Sequence, residues 1–165
     1  MTLLLTALAT AQQEVTAYTN AHILPGGKPT ISNATMVVSG GKILALGGAD
    51  VKVPDGAKVI DCKGMTITPG LIDASFQSSN NQQDLNEQSE EVTPHLRILD
   101  NIDPEDPLFR RARNNGVTAV HIMPGTRNVI GGLGCVIKTY GSDPKSMVIK
   151  ADASMRIVMG AEPSN

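Results

Sequence analysis

The sequence predicts a mixed fold, with an all-β first part and an α/β second part. Short β-like runs separated by glycine turns fill the chain as far as Thr68, which is typical of a small β-sandwich. The pair Pro69-Gly70 then interrupts this pattern. After it, strand-like and helix-like segments alternate, as in a parallel sheet covered by helices. We therefore expect a β-sandwich portion over 12–68 and an α/β portion over 69–165.

Turn residues divide the first part into five predicted strands. The pair Gly40-Gly41 lies between two β-like runs and predicts a hairpin, because both glycines tolerate positive φ. Pro25-Gly26-Gly27 and Pro54-Asp55-Gly56 mark further turns. The predicted strands are Val15–Ile23, Thr30–Val38, Lys42–Leu46, Lys58–Asp61 and Met65–Thr68.

The second part begins with a short buried strand, Leu71–Ala74, followed by a polar loop from Gln77 to Glu91. Asp103 followed by Pro104 predicts the start of a helix, and Asn115-Gly116 its end. An apolar, β-branched strand over Val117–Met123 follows, so this region predicts a helix–strand unit of a parallel sheet.

Beyond that unit, Met147–Lys150 is a predicted strand and Ala151–Met159 a predicted helix, terminated by Gly160. His121 lies within an apolar strand, where a packed histidine is more common than a metal ligand. Lys138 closes the apolar run Cys135–Ile137, and we interpret it as a surface lysine.

Composition excludes several classes of function. The formal net charge is −2 and only 2% of residues are aromatic, so neither a basic surface nor stacking platforms indicate nucleic-acid binding. Cys62 and Cys135 lie far apart without a partner motif, and we expect two buried thiols.

The first eleven residues resemble the second half of a secretory signal. Leu3–Leu8 is apolar and Ala9-Thr10-Ala11 fits a small-x-small cleavage site, although no basic residue precedes Lys28. A signal over 1–11 implies export to the periplasm or the outside. The alternative is an ordinary N-terminal strand in a cytoplasmic protein. The apolar run is far shorter than the roughly 20 residues of a membrane span.

The run Pro69-Gly70-Leu71-Ile72-Asp73-Ala74-Ser75-Phe76-Gln77 resembles the start of the barrel in the amidohydrolase superfamily, the metal-dependent hydrolases typified by imidazolonepropionase. Those proteins carry Pro-Gly-Leu-Ile-Asp-Ala-His-x-His, in which two histidines on one face of a strand share a metal. Here Ser75 and Gln77 occupy the histidine positions, and neither is a good zinc ligand. The resemblance therefore implies a zinc cofactor in intact members, but no metal and no catalytic residue in this chain.

Other stretches carry the same resemblance. Pro124–Gly132 is similar to a Pro-Gly-Ser-x-Asn-Val-Ile-Gly-Gly loop of secreted imidazolonepropionase-like hydrolases, and Asn86-Glu87 matches an Asn-Glu pair in similar proteins. The glycines would let backbone N–H groups face a ligand or fold a tight loop. The candidate ligand residues are Glu87, Asn128, Gly131 and Gly132.

The resemblance implies a (β/α)8 barrel, which takes roughly 250 residues. The residues after Thr68 could supply two or three strand–helix units, so we expect an incomplete barrel. Two functions remain open. One is hydrolysis of non-peptide carbon–nitrogen bonds in cyclic amides, with this chain a truncated and degenerate member that is inactive alone. The other is a non-catalytic binding or partner subunit, associated with itself or with a second amidohydrolase chain.

Overall fold

The computed structural model describes residues 13–78, 85–87 and 89–159, and the chain divides into two compact units after Pro69. The predicted signal over 1–11, Asp84 of the polar loop and the helix terminator Gly160 lie outside the described residues.

The first unit is built on one five-stranded sheet. Its strands are β1 (Val15–Ile23), β2 (Ile31–Ser39), β3 (Lys42–Gly47), β4 (Lys58–Asp61) and β5 (Thr66–Ile67). The order is β3-β2-β1-β4, and β5 also pairs with β1. The β1–β2 and β2–β3 pairs are antiparallel, whereas β4 and β5 run parallel to β1. All five predicted strands are therefore confirmed, but the described residues of this unit form one sheet, and a second facing layer stays a prediction.

Glycine chemistry accounts for the hairpin between β2 and β3. Gly40 has a φ of +57° and Gly41 a φ of +72°, which is the left-handed conformation that a two-residue hairpin turn requires at both central positions. The core beneath the sheet is small and made of Ala21, Ile23, Ala34 and Cys62.

The second unit contains a four-stranded sheet in the order β6-β7-β8-β9. Its elements are β6 (Leu71–Phe76), a 3-10 turn (Ile98–Asn101), α1 (Pro107–Asn114), β7 (Val117–Ile122), β8 (Ile130–Lys138), α2 (Pro144–Met147) and β9 (Val148–Ile157). Only β6 and β7 are parallel, and β7, β8 and β9 form an antiparallel meander. Among the described residues, α1 therefore supplies a single strand–helix–strand unit, and the incomplete barrel is not confirmed.

The helix begins three residues later than predicted. Asp106, not Asp103, caps α1, because its Oδ1 accepts from the backbone N–H of Leu108 at 2.8 Å and Pro107 occupies the first helical position. Asp103 closes a preceding turn and accepts from the N–H of Glu105 instead. Both Asp-Pro pairs carry the same local signal. The predicted helix end is confirmed by Asn115 and by Gly116, whose φ is +81°.

The predicted helix over Ala151–Met159 is wrong, because the segment belongs to β9 as far as Ile157. Its residues pair with β8 in an antiparallel register that joins Gly134 to Ser154 and Gly132 to Arg156. Cross-strand pairing outweighs the helical spacing of Met155, Val158 and Met159, on which the helix prediction was based. The predicted glycine loop is also shorter than expected, because β8 begins at Ile130 and contains Gly131, Gly132 and Gly134.

One face of the second sheet is packed and the other is open. Phe109 of α1 is only 1% exposed and packs with Val120, Ile122, Cys135, Ile137 and Met147. Burying a phenylalanine of this kind contributes about 1.5–3 kcal/mol. On the opposite face, Ile72 of β6 is 71% exposed. None of the described helices is long and apolar enough to cross a membrane.

Candidate functional site

Ser75 and Gln77 lie at the carboxyl end of β6 and line the same cleft, which has a volume of about 150 Å³. Between them, Phe76 turns toward the core and stacks on Phe109. Because successive strand side chains point to opposite faces, Ser75 and Gln77 share the open face. The other described residues that line the cleft are Phe76, Asn86, Met123, Pro124, Gly125, Thr126 and Arg156.

The strand end that carries Ser75 is held by a carboxylate of its own strand. Asp73 Oδ1 accepts from the backbone N–H of Ser75 at 2.9 Å. Short polar side chains often bond the backbone two residues further on in this way. This bond fixes the backbone immediately before the cleft.

One wall of the cleft is assembled from two segments that are distant in sequence. The carbonyl of Leu85 accepts from the N–H of Gly125 at 2.7 Å, and Asn86 Oδ1 accepts from the N–H of Arg127 at 3.0 Å. The Asn86 amide packs so closely on Gly125 that a Cβ there would overlap it. A side chain at position 125 would therefore displace the Asn86 amide from this contact, and the wall is held by the two hydrogen bonds and the contact.

A second cavity, of about 210 Å³, lies beside the first and shares Asn86 and Pro124 with it. Two of the predicted ligand residues, Glu87 and Gly131, line this second cavity together with Arg97. The Glu87 carboxylate Oε1 accepts from the N–H of Ser89 at 2.8 Å and from its hydroxyl at 2.6 Å. The carboxylate therefore closes a local turn at the cavity wall.

The other two predicted ligand residues hold loops in place. Asn128 is 3% exposed, and its Nδ2 donates to the carbonyls of Glu87 at 2.8 Å and Glu90 at 2.7 Å. Gly132 has a φ of +97°, and a Cβ on it would lie 2.5 Å from the carbonyl oxygen of Leu96. Neither residue is among the described residues that line the two cavities.

His121 links three strands on the open face. Its Nδ1 lies 3.1 Å from the carbonyl oxygen of Ala74, and its Nε2 lies 2.8 Å from Ser154 Oγ. Because a carbonyl can only accept, Nδ1 carries a proton and donates to Ala74, while Nε2 and the hydroxyl of Ser154 share the second hydrogen bond. Both ring nitrogens are thus used within the protein, as expected for a packed histidine.

Arg156 is the residue at this site that sequence reasoning missed. It lies on β9 and reaches the cleft that Ser75 and Gln77 line. Its Nη1 donates to Met123 Sδ at 3.7 Å. No carboxylate among the described residues lies within ion-pair distance of it, whereas Arg97 pairs with Asp152 at 3.0 Å. No local sequence pattern marks Arg156 as a site residue, because the segment is predicted as a helix. Only its pairing with β8 as a strand brings Arg156 to the cleft.

Comparison with known proteins identifies relatives of this chain. The chain is 34% identical over 94 residues to amidohydrolase tasK of Hapsidospora irregularis, which covers 53% of this chain and 10% of that relative. It is 29% identical over 79 residues to an adenine deaminase of Clostridium botulinum, covering 48% of this chain and 13% of the relative. A solved amidohydrolase from Thermotoga maritima MSB8 superposes with a TM-score of 0.78 at 32% identity, over 89% of this chain and 39% of that one.

These similarities support an N-terminal portion of the amidohydrolase superfamily for this chain. The resemblance of the chain to this superfamily is thereby confirmed, and the replacement of the two histidines by Ser75 and Gln77 stays a prediction. The chain spans only a minor part of these relatives. No family model matches it.

Amidohydrolases are generally metal-dependent, and the described cleft does not suit a metal. Zinc sites in proteins use cysteine, histidine and carboxylate ligands, whereas this cleft offers a serine hydroxyl, neutral amides and the guanidinium of Arg156. Within the described ranges, no three His, Cys, Asp or Glu side chains are grouped so that they could hold a metal ion. The chemistry of the donors therefore disagrees with the cofactor of the superfamily.

The two thiols lie away from the cleft. Cys62 and Cys135 are both free and buried. Desolvation raises the pKa of the Cys135 thiol to about 11, and the charges of Arg97, which lowers the pKa, and Asp152, which raises it, contribute less. Because a thiolate is the nucleophilic and metal-binding form, this residue is chemically inert at neutral pH.

Proposed function

We propose that this protein is a catalytically degenerate member of the amidohydrolase superfamily, in a branch that hydrolyses non-peptide carbon–nitrogen bonds of cyclic amides. The single observation that supports the degeneracy is the pair Ser75 and Gln77 at the carboxyl end of β6, both lining one cleft. That position suits a shared metal when it carries two histidines, because residues at i and i+2 of a strand face the same way. The chain alone is then expected to be inactive.

The hydrolase lineage rests on the names of the relatives, an amidohydrolase and an adenine deaminase. The names of the relatives do not favour the other role considered, a non-catalytic partner of an intact hydrolase. We therefore favour descent from a hydrolase over the partner role. The proposed substrate class, cyclic amides, is inferred from the resemblance to the superfamily alone.

Zinc stoichiometry tests the proposal. The purified chain is incubated with zinc, dialysed and analysed for metal, and its turnover of hydantoin-like and lactam substrates is measured. We expect no stoichiometric zinc and no turnover. A single tight zinc on each wild-type chain, together with zinc-dependent hydrolysis, would contradict it.

A matched pair of variants shows whether the missing histidines are responsible. The double variant Ser75→His/Gln77→His restores two imidazoles on one strand face and should retain zinc more strongly than the wild type. The double variant Ser75→Ala/Gln77→Ala changes the same positions without adding ligands and should behave like the wild type. Equal zinc retention in both variants would mean that the cleft lacks the geometry of a metal site.

We also propose export and association. Export rests on the apolar run and small-x-small site within 1–11, and N-terminal sequencing of the protein from the culture medium or periplasm tests it. Association with a second copy or with another amidohydrolase chain rests on the open sheet face and on the exposed apolar side chains of Leu71 and Ile72 on the edge strand β6.

A further inference from the structure

The cleft at the carboxyl ends of β6 and β7 carries one positive charge and, among the described residues that line it, no negative one. Arg156 supplies the charge through its guanidinium group. The described lining residues include no Asp, Glu or His. We infer that this cleft binds a small monocarboxylate anion, in the place where the superfamily holds a metal.

The guanidinium retains donors for such a ligand. Arginine has five N–H donors, and the contact that the structure shows uses Nη1 toward Met123 Sδ at 3.7 Å, a weak thioether acceptor. No described carboxylate pairs with Arg156. A cation in the cleft would meet this charge at close range, so electrostatics favours an anion over a divalent metal.

The chemistry around the arginine favours a carboxylate. A guanidinium and a carboxylate are both planar and form two parallel hydrogen bonds, which are stronger than neutral ones. Ser75 can donate from its hydroxyl and Gln77 from its amide, and both line the same cleft. One cation with neutral donors beside it matches a single carboxylate group.

The volume of the cleft limits the ligand. Its volume of about 150 Å³ is that of a small-ligand site, since a cavity of similar volume holds a molecule the size of benzene. A formate, acetate or propionate ion fits within this space. The inference therefore specifies a carboxylate of a few heavy atoms.

Isothermal titration of the full chain with sodium acetate, in buffer containing EDTA, tests this inference. We expect saturable binding that propionate competes for, and a loss of affinity of about tenfold or more in Arg156→Gln, because charged hydrogen bonds are among the strongest in proteins. The matched control Arg110→Gln removes an exposed guanidinium from α1 and should bind acetate like the wild type. Because EDTA removes metal ions, the acetate titration does not depend on whether the chain binds zinc.

Arg156→Lys covers the case in which Arg156→Gln fails to fold, because lysine keeps the charge and an aliphatic stem. It should bind acetate several-fold more weakly than the wild type, since the planar fork is lost. Absence of saturable acetate binding to the wild type overturns the inference. Equal affinities in the Arg156 and Arg110 variants overturn it as well, and binding of phosphate but not of carboxylates overturns the assigned ligand class.

Discussion

Phe76 of β6 stacks on Phe109 of α1 with ring centroids 5.5 Å apart and an interplanar angle of 18°. This contact joins the edge strand to the helix and turns the side chain between Ser75 and Gln77 into the core. The neighbours of Phe76 are consequently presented on the open face, where they line the cleft. One aromatic pair thus connects the stability of the second unit to the geometry of its candidate site.

Replacing Phe109 by alanine should destabilise the second unit by about 3–5 kcal/mol, because the side chain is fully buried and a cavity remains. Phe109→Leu keeps most of the apolar volume and should cost much less. Urea denaturation followed by circular dichroism measures both free energies of unfolding. Similar losses in the two variants would show that volume at this position does not control stability.

The positive φ and close packing of Gly132 predict a larger penalty than positive φ alone. Gly132→Ala should be more destabilising than Gly116→Ala, because both glycines have positive φ but only Gly132 has a carbonyl at 2.5 Å from the added Cβ. The φ term is worth about 1–3 kcal/mol in each. Denaturant midpoints of the two variants separate the terms, and equal midpoints would contradict the steric part.

The buried amide of Asn128 should contribute to stability through the two carbonyls it bonds. Asn128→Ala leaves the carbonyls of Glu87 and Glu90 without this donor and should cost about 1–3 kcal/mol. Asn128→Asp has the same shape but presents a carboxylate to two carbonyls, so it should cost more. Exposed Asn114 provides the control, and Asn114→Ala should leave the unfolding free energy nearly unchanged. A milder effect of Asn128→Asp than of Asn128→Ala would refute the assigned donor role.

The buried thiol of Cys135 predicts a loss of stability at alkaline pH. Its pKa is raised from 9.0 to about 11 in the folded chain, so the fold favours the protonated thiol. The associated stabilisation is complete below pH 9.0 and is lost as the pH rises toward about 11. Denaturant unfolding at a series of pH values gives the free energy of unfolding at each pH. Between pH 9.0 and about 11, this free energy should fall more steeply with pH for the wild type than for Cys135→Ala. Parallel pH dependence in the two proteins would count against the burial argument.

The exposed apolar edge of β6 predicts association of the purified chain. In sedimentation velocity, Ile72→Lys should shift the distribution of sedimentation coefficients toward that of the monomer. The reason is that a charge on an edge strand opposes pairing with another chain. Asn114→Lys adds the same charge to the exposed surface of α1 and should leave association unchanged. A wild-type chain that sediments as a monomer and unfolds in one sharp transition would argue against association.

Local chemistry was enough to predict much of the fold. The hairpin at Gly40-Gly41 and the end of α1 at Asn115-Gly116 follow from backbone preferences that act over a few residues. The segment around Leu71–Gln77 indicated the superfamily by its residues alone. In each case the signal and the structure it predicts lie within the same short stretch of chain.

Only the tertiary structure decided how distant segments combine. The stretch Ala151–Ile157 is a strand because β8 offers a partner for its hydrogen bonds, and that pairing brings Arg156 to the cleft of Ser75 and Gln77. Two Asp-Pro pairs, at Asp103 and at Asp106, carry the same local signal for a helix start. Only the packing of α1 decides that Asp106 is the cap. Strand pairing and cleft formation depend on contacts between residues far apart in sequence, which no local pattern records.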